Sequence, residues 1–189
     1  MQTAVATTVV AEPRTAAYAI DPAHASAQFK VRHLMIAHVR GELGEVAGDV
    51  VLDQADLARS SVVARVDATA IDTRNPDRDA HLRSADFLDV ANHPALTFRS
   101  TEVRPDGRGR LEVAGELTIR GVTRPVTLGV ELSDEIRDPW GNAKRGVTAT
   151  ARLDRRDFGL TWNAALETGG LVVGDAVEVT IEAELVRRA

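Results

Sequence analysis

Apolar and polar residues alternate along most of this chain. In "AQFKVRH", Ala27, Phe29, Val31 and His33 point one way, and Gln28, Lys30 and Arg32 the other. In "RLEVAGELTIR", Leu111, Val113, Gly115, Leu117 and Ile119 share a face opposite Glu112, Glu116, Thr118 and Arg120. In "AVEVTIEAEL", Val177, Val179, Ile181, Ala183 and Leu185 are sorted from Glu178, Thr180, Glu182 and Glu184. Only a period of two sorts residues this way; a helix, with its period near 3.6, would mix the two sets. Strands are predicted near 17–21, 26–39, 43–53, 61–71, 95–104, 109–120, 124–135, 146–155 and 174–187. Turn signals separate them: "PDGRGR" as a hairpin, "IRGVTRP" as a turn or kink, and "RDPWGNAKRG" as a longer polar loop around Trp140.

Half-polar antiparallel strands in this number close up or stack. A closed barrel removes the edges and hides the apolar face, with a two-sheet sandwich as the alternative. An eight-stranded barrel holds either packed side chains or a single ligand. Aromatic residues make up 4% of the chain. Val, Leu and Ala must therefore fill the interior, which favours a cavity.

The rhythm breaks at "DAHLRSADFLDVANHPALTF", residues 79–98. Asn75 suits an N-cap, Pro76 the first helical position, and Asp77 and Asp79 the positive end of the dipole. Leu82, Ala85 and Phe87 are placed to cover apolar surface, and Ser84 to start a second turn. Asn92-His93-Pro94 ends the segment, because a residue before Pro avoids the α region. The expected element is a short helical connection across one barrel end. It acts as a lid, with Phe87 and Leu88 turned inward, that opens or closes around a cargo.

The 189 residues suffice for one domain. It is expected over 17–188, behind a flexible tail over 1–16. A net charge of -5 argues against nucleic acid as a partner. The absence of cysteine excludes disulfides, thiol nucleophiles and thiolate metal sites. No run reaches the roughly 18–20 apolar residues of a bilayer span. The N-terminus lacks a basic region followed by a sustained apolar core, so a cytoplasmic location is expected.

Candidate chemistry is sparse. The histidines are His24, His33, His38, His81 and His93. Read on one strand, His33 and His38 face opposite sides and make no metal pair. The metalloprotease, nucleophile-elbow, P-loop and dinucleotide motifs are missing. No metal, cofactor or catalytic set is expected, and the chain reads as a non-enzyme. The competing enzyme reading uses His33 or His81 as acid–base, without a paired nucleophile. Asp77, Arg78 and Asp79 read as a solvated helix face. His33 is either a core histidine bonded to backbone or a polar contact for a ligand headgroup. Trp140, Phe158 and Trp162 seal a barrel end or line its mouth.

Four stretches, in order from Tyr18 to Arg187, resemble the YceI-like family. "YAIDPAHASAQFKVRHLMIAHVRGEL" is similar to its opening strands, "RDAHLRSADFLDVANHPALTFRS" to its central motif, and "GELTIRGVTRPVTL" and "RRDFGLTWNAALETGGLVVGDAVEV" to its later signatures. The resemblance implies an all-β, lipocalin-like antiparallel eight-stranded barrel with the helical connection capping one end. It implies a homodimer enclosing a long-chain isoprenoid or acyl lipid: a polyisoprenoid, isoprenoid quinone or prenyl phosphate, or a fatty-acid-like molecule. Two departures stand out. Many relatives carry a secretory signal that is not apparent here, and Leu88 follows Phe87 where the family commonly has two adjacent Phe residues. Phe29, Val31, Leu82, Phe87, Phe98, Leu117, Ile119, Phe158 and Trp162 are expected to line the cavity. His33, Arg78 and His81 are expected to meet the headgroup. Besides a lipid carrier, a fatty-acid or fatty-amide stress protein and a packed barrel serving protein interaction remain open.

Overall fold

The computed structural model describes residues 14–165 and 169–188. Of the tail expected over 1–16, residues 1–13 lie outside the described residues. The chain is already part of the domain at Arg14, whose Nε bonds both carboxylate oxygens of Asp53 at 3.2 and 3.0 Å. The first strand, β1, covers Thr15–His33. It is followed by β2 (Ala37–Glu42), β3 (Val46–Asp53) and β4 (Ser61–Asp67). Helix α1 (Pro76–Arg83) precedes β5 (Ala95–Pro105), β6 (Arg110–Ile119) and β7 (Val122–Leu132). The last strands are β8 (Ile136–Arg137), β9 (Ala143–Asp154) and β10 (Val173–Arg187). β1, β3, β4, β5, β6, β7, β9 and β10 pair antiparallel in that order, and β10 returns to β1. The ring is closed, so the barrel holds and the sandwich falls. β2 pairs with β1, and β8 with β9, off the ring.

The sequence pattern and the structure part company at β1. The alternation predicts two strands, near 17–21 and 26–39. Instead β1 runs through both, with an irregular register between Ile20 and Ala25. It then turns back at residues 34–36 into β2. His33 and His38 therefore sit on different strands, with His33 opposite Ala37 and Arg32 opposite His38. The turn is hard to read because no Gly, Asn or Asp marks it: Leu34 and Met35 themselves take positive φ, 52° and 58°.

The other turns follow their residues more closely. Arg120 and Gly121 take φ 50° and 72°, as a two-residue hairpin turn between β6 and β7 requires. Pro125 then lies inside β7, where β7 is bonded to β6 and has not yet met β9, whose pairing begins at Gly129. A residue without an N–H is tolerated on such an edge. In the hairpin at 105–110, Asp106 Oδ1 accepts from the backbone N–H of Arg108 (2.7 Å) and Arg110 (3.1 Å). Asp138 does the same for Trp140 and Asn142 in the loop before β9.

The barrel end farther from α1 is tightly packed around Tyr18, Leu52 and Leu185. Tyr18 has no exposed surface. Its hydroxyl donates to Glu135 and accepts from Arg145 Nε at 3.4 Å, and Arg187 lies 3.4 Å from the same carboxylate. Burial first, and then the bond to Glu135, push the phenol above its usual ionisation range. Its stabilising contribution is therefore complete below the unfolded value near 10 and is lost as pH rises through the higher folded value. Tyr18 is the single tyrosine, so an ultraviolet absorbance titration reads it alone. The expected midpoint lies above that of free tyrosine and coincides with alkaline loosening of the fold. A midpoint at the free value in folded protein would contradict the burial argument.

Candidate functional site

The barrel encloses a cavity of about 300 Å³, a size at the lower end of the range of about 300–1,000 Å³ for ligand pockets. Its wall follows from the alternation. Phe29 and Val31 of β1, Leu117 and Ile119 of β6, Ala149 and Ala151 of β9, and Val177 and Val179 of β10 all face it. Phe29, Val31, Leu128, Val177 and Val179 are inward-facing yet only half-buried. They border open space rather than neighbouring side chains.

Two glycines set aside room for the aromatic rings of the wall. A Cβ on Gly41 would lie 2.5 Å from Phe29 Cζ, and one on Gly115 would lie 2.5 Å from Phe98 Cζ. Each ring thus rests against a neighbouring strand at a point where no side chain intervenes. A glycine inside an alternating strand is the sequence signal for such an approach.

Helix α1 begins as its residues dictate. Asn75 Oδ1 caps Arg78 N–H at 3.0 Å, and Pro76 occupies the first turn. The helix ends at Ser84, whose N–H bonds His81 O. The chain continues to Pro94 in turns, held by Leu88 N–H on Leu82 O and Val90 N–H on Arg83 O. Leu82, Phe87 and Leu88 close the cavity from this side.

The expected solvated face of α1 holds at Asp77, which is exposed, and is corrected at Arg78 and Asp79. Asp79 is buried, and its Oδ1 accepts from Thr73 N–H (2.9 Å) and Thr73 Oγ1 (2.5 Å). Arg78 donates from Nε to Thr73 Oγ1 (2.7 Å) and from Nη2 to Thr73 O (2.8 Å). Asp72 and Glu42 exchange backbone hydrogen bonds of 2.9 Å in both directions. The segment before α1 is thus laced to β2. Arg78 is spent on Thr73 rather than turned toward the cavity.

Of the sequence-predicted site residues, Phe29, Val31, Leu82, Phe87, Phe98, Leu117, Ile119 and Phe158 line the cavity. His33, Arg78, His81 and Trp162 are not part of its wall. His33 sits at the barrel rim between Val173 and Ala37. His81 bonds Asp86 at 3.0 Å, and its ring stands edge-on to Phe87 (5.0 Å) and Trp162 (4.7 Å). Trp162 therefore seals behind Phe87.

Sequence reasoning missed Arg155. It lies in a short 3-10 turn after β9, borders the cavity, and is 6% exposed. Nε donates to Gly174 O (2.9 Å) and Nη1 to Leu160 O and Trp162 O, the latter at 2.9 Å. Nη2 donates to Val173 O (3.4 Å) and Asp175 Oδ1 (3.2 Å). Burial lowers its pKa, opposed by Asp175 and Asp154, and an arginine remains charged through such a shift. All five donors are used within the protein. Arg155 clasps residues 160–162 to the start of β10 and offers nothing to a ligand. The only signal was a second Arg beside Arg156, where the alternation of β9 had ended. Among the described residues, the other polar ones bordering the cavity are Ser60, Ser61 and Thr97.

On the barrel exterior, Asp21, His24 and Glu184 bring potential ligand atoms within 4.8 Å of one another. Lys144 already supplies a cation there, 2.7 Å from Glu184 and 3.9 Å from Asp21. Its bond to Glu184 raises its pKa.

A closed antiparallel ring of eight strands around an apolar chamber, with a helical connection across one end, defines a small ligand-cavity β-barrel. Residues 18–185 match the YceI-like domain, and the chain belongs to that family. A UPF0312 protein of Vibrio cholerae is 43% identical over 145 residues, covering 76% of this chain and 77% of its own. One from Ectopseudomonas mendocina is 38% identical over 146 residues, covering 76% of both chains. Among solved structures, BcnA of Burkholderia cenocepacia superposes with a TM-score of 0.76 at 20% identity, over 87% of this chain and 98% of its own. A polyisoprenoid-binding domain from Saccharophagus degradans superposes with a TM-score of 0.64 at 16% identity, over 92% of this chain and 99% of its own. These two likenesses confirm the barrel fold.

Proposed function

We propose that the barrel encloses one elongated amphiphilic lipid, of polyisoprenoid, isoprenoid-quinone or prenyl-phosphate type, and sequesters, stores or transports it. The observation that carries this reading is the apolar chamber itself, whose bordering guanidinium has no donor left. A lipid tail needs no specific chemistry there, since each Å² of apolar surface withdrawn from water contributes about 25 cal/mol. The description of the Saccharophagus domain as polyisoprenoid-binding points to the same ligand class. In this reading Phe29, Val31, Leu82, Phe87, Phe98, Leu117, Ile119 and Phe158 touch the tail. The headgroup stays near the rim, toward His33 and His81. No chemical step on the ligand is part of the proposal.

A fatty acid or fatty amide would suit the same walls, and one experiment separates the ligand classes. Native mass spectrometry of freshly purified protein, followed by denaturing extraction, is expected to yield a discrete prenyl lipid. An acyl chain in its place would move the protein to the alternative. Protein that stays free of ligand after incubation with quinones, prenyl phosphates and fatty acids would sink both readings and favour an interaction module. We place the protein in the cytoplasm as a homodimer, which cell fractionation and analytical ultracentrifugation test.

A further inference from the structure

We propose that the β1–β2 hairpin tip is a docking finger for an anionic lipid bilayer surface. The tip is Leu34-Met35-Ile36. Ile36 is 80% exposed and Met35 41%. Leu34 and Met35 hold positive φ, a conformation that Asn or Gly adopts at far less cost. The turn thus places large apolar side chains where a merely connecting turn would use small polar ones. Arg32 fixes the arrangement by donating to Met35 O from Nε (3.0 Å) and Nη2 (2.6 Å). Its guanidinium is thereby held directly behind the apolar tip.

Charge supports the same partner. The chain carries a net charge of -5, yet no carboxylate occurs from Ala25 to Gly41. That stretch holds Lys30, Arg32, Arg40, His33 and His38. Lys30 is answered by Glu178 at 2.5 Å; Arg32 and Arg40 are exposed. An apolar tip backed by cations is complementary to acyl chains beneath anionic headgroups.

Position supports it as well. Leu34 N–H bonds Val172 O at 2.8 Å, and Leu171 beside it is exposed. Val31 and Val173, just behind the tip, belong to the cavity wall. The finger therefore stands at the end of the barrel where α1 closes the chamber. The strongly exposed Trp140, at 82%, is in the loop before β9, at the opposite end.

The test is flotation of the full chain with vesicles of phosphatidylcholine, with and without phosphatidylglycerol. Binding is expected only to the anionic vesicles, and to weaken with added salt. The double substitution Met35→Ser/Ile36→Ser should lower the bound fraction about tenfold or more, and Trp140→Ser should leave it unchanged. Circular dichroism checks that the double variant is folded. If it is not, Arg40→Glu, outside the turn, takes its place, with the same loss expected. Three outcomes overturn the proposal: wild-type protein that does not float, flotation untouched by either tip variant, or a dimer that the double substitution dissociates. The last would assign the tip to a second copy of this chain. Lipid extraction reads the chamber and flotation reads the finger, so the two proposals can fail separately.

Discussion

Replacing Arg155 with methionine is expected to lower the unfolding free energy by about 3–5 kcal/mol, the usual cost of removing one partner from a buried charged network. The substitution keeps much of the side-chain bulk but removes every donor. The carbonyls of Leu160, Trp162 and Gly174 then lose their charged partner. Each buried carbonyl left without a donor costs about 1–3 kcal/mol. Asp175 is less affected, because Arg156 also approaches it, at 3.3 Å. Lysine is a poor substitute: one ammonium point charge does not span acceptors on both sides of the clasp as a planar fork does. Chemical denaturation provides the check. A loss below about 1 kcal/mol would mean that water replaces the guanidinium, against the burial described.

The second large effect concerns binding rather than stability. Ala151 faces the chamber from β9 and is only half-buried. Ala151→Phe should push a ring into open space instead of into packed neighbours. Lipid carried through purification should fall about tenfold or more, because the tail loses its volume. The unfolding free energy should shift by less than the roughly 1–3 kcal/mol typical of an overfilled core. Extraction and quantification of lipid per mole of protein, with a parallel denaturation curve, separates the two effects. Full lipid occupancy in the variant would show that the ligand does not lie along β9. A large stability loss with no change in lipid would mean that the space around Ala151 is already filled.

Much of this architecture is legible in the sequence because two strong signals act locally. Strict alternation marks Leu111 to Ile119 and Val177 to Leu185 as inward faces, and the structure turns them toward the chamber. Asn75-Pro76 marks the helix start, and the cap forms as written. The signals fail where a residue's partner lies outside its own helix or strand. Asp79 looks like a dipole-stabilising surface acid, but its carboxylate holds Thr73 across a turn. Arg78 looks free and is committed to the same threonine. Arg155 has little pattern around it, since four of its five acceptors are backbone carbonyls that any sequence would supply. The turn at Leu34 and Met35 is hidden for a different reason: its residues contradict its geometry. Such a conflict between local preference and fold is where functional sites concentrate.

The seam between β1 and β10 bears on how the protein is made. Tyr18 pairs with Arg187, and Arg188 N–H bonds Ala17 O, so the first strand of the barrel waits for its last. Contacts of such wide sequence separation slow folding, because the loop entropy of the whole chain must be lost before they form. Until β10 is in place, β1 has a bare edge and the chamber lacks a wall. Nascent chains would therefore meet their surroundings as an open, apolar, curved sheet. Ring closure, with whatever the sheet has gathered inside it, is the last step of barrel assembly.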